Sequence, residues 1–169
     1  MGNGMEADVR EPRRPALIMF CGLPGAGKTT LARERAREAG AIRISTDEWM
    51  ADLGLDYFDD RRGSVQARLD ALGRQLLAHG QSVLVEDGTW KRAERDELRR
   101  LAIECDATTE LHVFDIPLDE LWRRLDIRNR VAERGTAPIT RELLLASATR
   151  LEQPDAAELP LFDRWVVHR

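Results

Sequence analysis

Cysteine is nearly absent. Cys21 and Cys105 are the only two in 169 residues, and their separation supports neither a metal knuckle nor a disulfide framework. Both stand in apolar-periodic stretches and are expected to be buried thiols in a reducing cytoplasm. Histidine is scarce too: His79, His112 and His168 are scattered, and none stands beside a Ser, Cys or metal-ligating partner. They are expected to be structural or solvent-exposed rather than catalytic. No apolar run approaches the ~20 residues of a membrane span. The first residues are too polar for a signal peptide. A net charge of −4 excludes a global attraction to nucleic acid or anionic membrane, although 26 Lys and Arg leave room for local patches. The chain has no internal repeat, no low-complexity segment and no Asn-Lys-x-Asp guanine-reading motif.

What is present is one domain's worth of chain, 43% hydrophobic and 33% charged, long enough for a substantial core. Residues 1–15 carry Gly, Asn, Glu, Arg and two prolines without periodicity and are expected to be a disordered leader; the domain is expected over 16–169. It starts on its most informative stretch. The apolar run Ala16 to Cys21 reads as a buried strand and passes directly into Gly22-Leu23-Pro24-Gly25-Ala26-Gly27-Lys28-Thr29, followed by Thr30. This matches G-x-x-x-x-G-K-[ST] at every required position. Glycines let successive backbone N–H groups face one concavity and donate to phosphate oxygens. Lys28 supplies a mobile charge for the β- and γ-phosphates, the Thr29 hydroxyl suits Mg²⁺, and the following helix aims its positive end at the same point.

That helix runs through Leu31, Ala32, Arg35, Ala36 and Ala39 to a terminating Gly40. A short strand, Ala41 to Ser45, ends in Ser45-Thr46-Asp47. An acid just past the carboxyl end of such a strand sits where open α/β sheets bind ligands. Thr46 and Asp47 are equally good caps for a helix beginning near Glu48, and capping does not exclude chemistry. Residues 51–63 mix aromatics, acids and glycine and read as a loop shaping a pocket. Val65, Leu69, Leu72, Leu76 and Leu77 then give a helix up to Gly80. A third strand, Ser82 to Val85, runs into Glu86-Asp87-Gly88-Thr89-Trp90. An acid in this place orients Mg²⁺ or its water, with Asp87 preferred and Glu86 in reserve; a turn-forming Asp-Gly is the alternative.

A helix from about Arg92 (Leu98, Leu101, Ala102, Cys105) precedes a fourth strand, Thr109 to Ile116. Leu118, Leu121, Trp122 and Leu125 then make a core stripe that leads into Arg123, Arg124, Arg128, Arg130 and Arg134. Arg123 and Arg124 fit a solvated face. Arg128 and Arg134, approaching Gly135-Thr136-Ala137-Pro138, suit a lid over polyphosphate, about residues 127–139. A helix from Thr140 and a closing strand at Trp165-Val166-Val167 complete the chain. The alternation of strands and helices calls for an α/β fold with a parallel sheet covered by helices on both faces.

Three features together, the loop Gly22 to Thr29, the strand end Ser45-Thr46-Asp47, and Phe114-Asp115-Ile116-Pro117-x-x-Glu120-Leu121 leading to Arg128-Asn129, resemble the P-loop kinases of the zeta-toxin, chloramphenicol-phosphotransferase and polynucleotide-kinase type. The Asp-Glu-Trp-Met and Trp-x-x-Ala-Glu-Arg-Asp segments are similar to those of a bacterial group described as ATP-binding or kinase-like. The resemblance implies a three-layer α/β/α sandwich with strand order 2-3-1-4-5. It also implies that Asp47 receives the proton of an acceptor hydroxyl and that Arg128 and Arg134 clamp the donor phosphates. One departure stands out. The polynucleotide-kinase pattern has an arginine three residues after the aspartate, whereas this chain has Met50 beside Trp49, which favours a less charged acceptor. Trp49, Tyr57, Phe58 and Trp90 are candidates to line its pocket, and Trp122 and Trp165 fit the core.

The expectation is therefore an ATP- and Mg²⁺-dependent kinase acting on a hydroxyl of a small molecule in the cytoplasm, with no membrane partner. Phosphorylation of a polynucleotide or nucleoside 5′-hydroxyl is an alternative that the acidic charge and Met50 disfavour. A regulatory ATP-binding NTPase without an acceptor is a third reading.

Overall fold

The computed structural model describes residues 14–131 and 138–169. Most of the expected leader, and residues 132–137 of the expected lid with Arg134, lie outside the described residues. The elements run β1 (Ala16–Cys21), α1 (Lys28–Ala39), β2 (Ile42–Ile44), α2 (Thr46–Asp52), α3 (Arg62–Ala78), β3 (Val83–Val85), α4 (Arg92–Glu104), β4 (Thr108–Phe114), α5 (Leu118–Val131), α6 (Arg141–Arg150), a 3₁₀ turn (Leu159–Leu161) and β5 (Arg164–His168). The five strands form one all-parallel sheet in the order β2-β3-β1-β4-β5.

β1 is central because every residue from Leu17 to Cys21 is apolar and at most 2% exposed, which only a strand covered on both faces allows. Side chains alternate along it with a period of two. Leu17, Met19 and Cys21 enter a core with Leu69 and Leu77 of α3 and Leu101 and Ala102 of α4. Ile18 and Phe20 enter the opposite core with Ala32 and Ala36 of α1, Leu121 and Leu125 of α5 and Leu144 of α6. Each Leu, Ile, Met or Phe side chain buried there contributes about 1.5–3 kcal/mol relative to exposure.

The helix termini follow local chemistry. Gly40 ends α1 in the left-handed region (φ 61°), where its N–H reaches back to the Ala36 and Arg37 carbonyls. Thr140 caps α6 by accepting from Leu143 N. At α4 the Glu94 carboxylate accepts from Lys91 N at 3.0 Å. Arg14 and Pro15 are engaged: Arg14 pairs with Asp106 (2.9 Å) and the Pro15 carbonyl accepts from Thr108 N.

Several local expectations are corrected. Ser45 rather than Thr46 or Asp47 holds the cap position of α2, without a side-chain cap bond, because the helix begins at Thr46. Met50 is 1% exposed and belongs to the interior, so the Trp49–Met50 pair does not jointly face a pocket. Trp165 is 45% exposed, since β5 is an edge strand. Cys21 is buried but Cys105, at the C-terminal end of α4, is only partly so. Burial raises the Cys21 thiol to a pKa of about 11, which makes it unreactive. Arg123 and Arg124 lie on an exposed face, both paired with Glu120. No helix of the described residues is long and apolar enough to cross a membrane.

Candidate phosphate-binding and transfer site

The glycines of the 22–29 loop are required by space and by backbone angle. A Cβ on Gly22 would stand 2.7 Å from the Phe114 Cβ, so no side chain fits where β1 passes β4. Gly25 (φ 81°) and Gly27 (φ 93°) occupy the left-handed region. Gly27 is the cap residue of α1 and offers no side-chain bond, which leaves the first-turn N–H groups of the helix open to an anion. Thr29 and Thr30 are exposed on that turn. Lys28 folds back over the loop, its Nζ donating to the Gly22 and Leu23 carbonyls at 2.9 Å each. Burial pulls its pKa down to about 8, against the supporting charges of Asp47, Glu86 and Asp87. A cation held on two backbone carbonyls is poised for exchange onto phosphate oxygens.

The segment after β3 is fastened to the same loop. The Trp90 indole N–H donates to the Gly22 carbonyl at 3.1 Å, and Thr89 donates to the Phe20 carbonyl through both N (2.9 Å) and Oγ1 (3.0 Å). From behind, the fully buried Arg95 donates to the Thr89 carbonyl (2.9 Å) and grips Glu158 through two bonds of 2.6 and 2.9 Å. Trp90, expected to line a pocket, thus acts as a brace for the glycine loop.

Asp47 stands in the first turn of α2, and its side chain is 45% exposed, facing the crevice rather than the core. Its Oδ1 accepts from Arg62 Nη2 at 2.6 Å. Arg62 lies over Tyr57, its guanidinium carbon 4.4 Å from the ring centre, and its Nη1 is buried without a hydrogen-bond partner among the described residues. Asp87 accepts from Thr46 through both N (3.1 Å) and Oγ1 (2.6 Å); burial nevertheless raises its pKa. Glu86 is engaged by Arg43, which also binds Glu48. Of the two acids at the end of β3, Glu86 is therefore occupied by an internal ion pair and Asp87 fronts the crevice. Arg128 is half-buried on α5, whose Leu125 packs so close to the glycine loop that a Cβ on Gly25 would stand 2.9 Å from its Cγ. Asn129 beside it makes reciprocal bonds with Ile139, Nδ2 to O at 2.8 Å and N to Oδ1 at 3.2 Å.

The fold thus gathers Lys28, Thr29, Asp47, Asp87 and Arg128 at the carboxyl end of the sheet. Phe58 is 66% exposed and packs edge-on against Tyr57 with ring centres 4.9 Å apart. Arg62 and Arg43 escape sequence reasoning. Arg62 sits in the irregular Asp59-Asp60-Arg61-Arg62 run, where only the start of α3 at Arg62 decides which arginine faces inward. Among the described residues no cluster of three or more His, Cys, Asp or Glu forms a metal cage. The hard oxygens of Thr29 and Asp87 fit a cation such as Mg²⁺, which retains waters and phosphate ligands.

A five-stranded parallel sheet in this order, with the glycine loop joining its central strand to α1, defines a P-loop kinase-like protein. The family model described as "AAA domain" matches residues 17–154, and the chain belongs to that family. The chain is 30% identical over 164 residues to the bifunctional enzyme NodQ of Azospirillum brasilense, covering 93% of this chain and 26% of NodQ. It is 32% identical over 120 residues to an adenylyl-sulfate kinase of a Synechococcus sp. strain, covering 66% of each. The chain therefore spans about a quarter of the first relative and 66% of the second. The crystal structure of a putative kinase from Chloroflexus aurantiacus superposes with a TM-score of 0.68 at 23% identity, covering 92% of this chain and 88% of that one.

Proposed function

We propose that the protein is an ATP·Mg²⁺-dependent kinase that transfers the γ-phosphoryl group to a hydroxyl of a small molecule. The observation that carries this reading is Asp47: a half-exposed carboxylate, held by Arg62, whose charge bears on the Lys28 ammonium of the glycine loop. Likeness to adenylyl-sulfate kinases, which by name phosphorylate a small molecule, supports it.

In this reading the loop N–H groups and Lys28 hold the β- and γ-phosphates. Thr29 and Asp87 would hold Mg²⁺, which would supply charge neutralisation at the phosphates. Asp47 orients the acceptor hydroxyl and takes its proton as the oxygen bonds to the γ-phosphorus and the bond to the β–γ bridging oxygen breaks. Arg62 fixes the Asp47 carboxylate. Arg128, with Arg134 of the 127–139 segment, neutralises charge on the donor and excludes competing water. The unit that does this is residues 16–169.

The test follows γ-labelled ATP with Mg²⁺ and a small-molecule extract. Label entering an organic product in the wild type but not in Asp47→Asn or Lys28→Ala is expected. Release only as inorganic phosphate with every acceptor overturns the kinase reading in favour of a regulatory NTPase.

A further inference from the structure

A cavity of about 360 Å³ lies between α3 and α4, on the β1–β3–β2 face of the sheet. That volume falls in the range of small-molecule sites, roughly 300–1,000 Å³. Its floor is apolar, with Leu17, Ile44, Val83 and Val85 below and Leu69 and Leu98 on the walls. At the carboxyl end of the sheet it reaches Asp87, Gly88 and Thr89, the segment fastened to the glycine loop. Asp87 holds Thr46, the residue next to Asp47, through its N (3.1 Å) and Oγ1 (2.6 Å), which puts the start of α2 at this end of the cavity. The cavity therefore starts beside the transfer site and extends away from it between two helices.

Its charged lining is predominantly acidic. Asp70, Asp87, Glu94 and Glu97 contribute four carboxylates, against the single guanidinium of Arg74. Arg74 makes an exposed, 3.3 Å contact with Glu97, so it leaves most of the negative charge standing. Arg62 does not line the cavity, and its charge faces Asp47. An anionic acceptor would meet like charges on entry. An apolar body carrying an ammonium group would meet an apolar floor and acidic walls.

We infer that the α3–α4 cavity is the acceptor pocket and that the acceptor is a cationic, partly apolar alcohol, an amino alcohol or aminocyclitol in chemical class. Its ammonium lies among Asp70, Glu94 and Glu97, and its hydroxyl points past Asp87 to Asp47. This assignment rests on the kinase reading above and sets the protein apart from relatives named for the anionic acceptor adenylyl sulfate.

The test has a binding arm and a transfer arm. Propranolol and spectinomycin serve as cationic alcohols, chloramphenicol and glucose as neutral ones, and adenosine monophosphate and adenylyl sulfate as anions. Calorimetry on the full chain without nucleotide is expected to show binding of a cationic probe that weakens as salt rises. Asp70→Lys combined with Glu97→Lys, both at exposed helical positions whose folding is checked by circular dichroism, is expected to weaken that binding about tenfold or more. Asp70→Asn with Glu97→Gln is expected to weaken it by a smaller factor. Label from γ-labelled ATP is expected on the cationic alcohol. Preference for a neutral or anionic probe, or indifference to the charge reversal, overturns the charge assignment while transfer to any of them leaves the kinase reading standing. Binding of a cationic probe with label released only as inorganic phosphate overturns the kinase reading, and the acceptor assignment with it.

Discussion

Arg62 Nη2 lies 2.6 Å from Asp47 Oδ1, joining the first turn of α3 to the first turn of α2 across the mouth of the crevice. The carboxylate assigned to the acceptor hydroxyl is thus not a free rotor on a helix end. It is held from one side by a guanidinium that itself lies over the Tyr57 ring.

Arg62→Ala is expected to lower kcat about 10²-fold while leaving nucleotide KM within about twofold, because it loosens the base rather than the phosphate cradle. Arg62→Lys should recover part of kcat, since one charge returns without the planar fork. Steady-state kinetics with saturating acceptor check this; a change confined to nucleotide KM would move Arg62 to the donor side.

Trp90→Phe keeps an aromatic ring and removes the 3.1 Å bond to the Gly22 carbonyl. Loss of one such bond is worth about 1 kcal/mol, so nucleotide KM is expected to rise about fivefold with kcat little changed. An unaltered KM means the brace does not shape the loop.

The Arg95–Glu158 pair is fully buried, with both side chains at most 2% exposed. Arg95→Ala strands a carboxylate and is expected to cost about 3–5 kcal/mol, lowering Tm by about 10 °C in a chain of 169 residues. Arg95→Met together with Glu158→Leu should recover most of that loss, as measured by thermal unfolding. A double variant no better than the single one contradicts the desolvation argument.

Acid stability should show Glu110. Burial alone would raise its pKa, but the bidentate Arg35 contact (2.6 and 2.7 Å) and His112 hold it at about 2, below the ordinary 4.5. A depressed carboxyl stabilises the fold fully above the unfolded pKa, and the contribution disappears as pH falls from about 4.5 through about 2. The advantage of wild type over Glu110→Gln, of order 2 kcal/mol at pH 6, is expected to shrink across that window in urea unfolding. Parallel pH profiles for the two proteins reject this role.

Much of the architecture was readable from local chemistry. Apolar-rich strands separated by 3.6-period helices dictate a parallel sheet with two covers, and the Gly22–Thr29 string dictates its own loop because glycine readily adopts φ near +90° and passes Phe114 at contact distance. The strand order 2-3-1-4-5 came from resemblance and agrees with the sheet observed.

Side-chain direction was not readable. Whether Met50 faces a pocket or the interior, whether Trp165 is covered, and which of Arg61 and Arg62 meets Asp47 depend on helix phase and on what packs from distant segments. The choice between Glu86 and Asp87 belongs to the same class: a neighbouring strand supplies Arg43 to one acid, and the α2 start supplies Thr46 to the other. Sequence by itself determined the elements and the phosphate loop, because these rest on backbone preference and near-neighbour spacing. Tertiary structure alone decided the partners of each charge and the acidic cavity between α3 and α4, because burial and long-range pairing exist only once the chain has closed on itself.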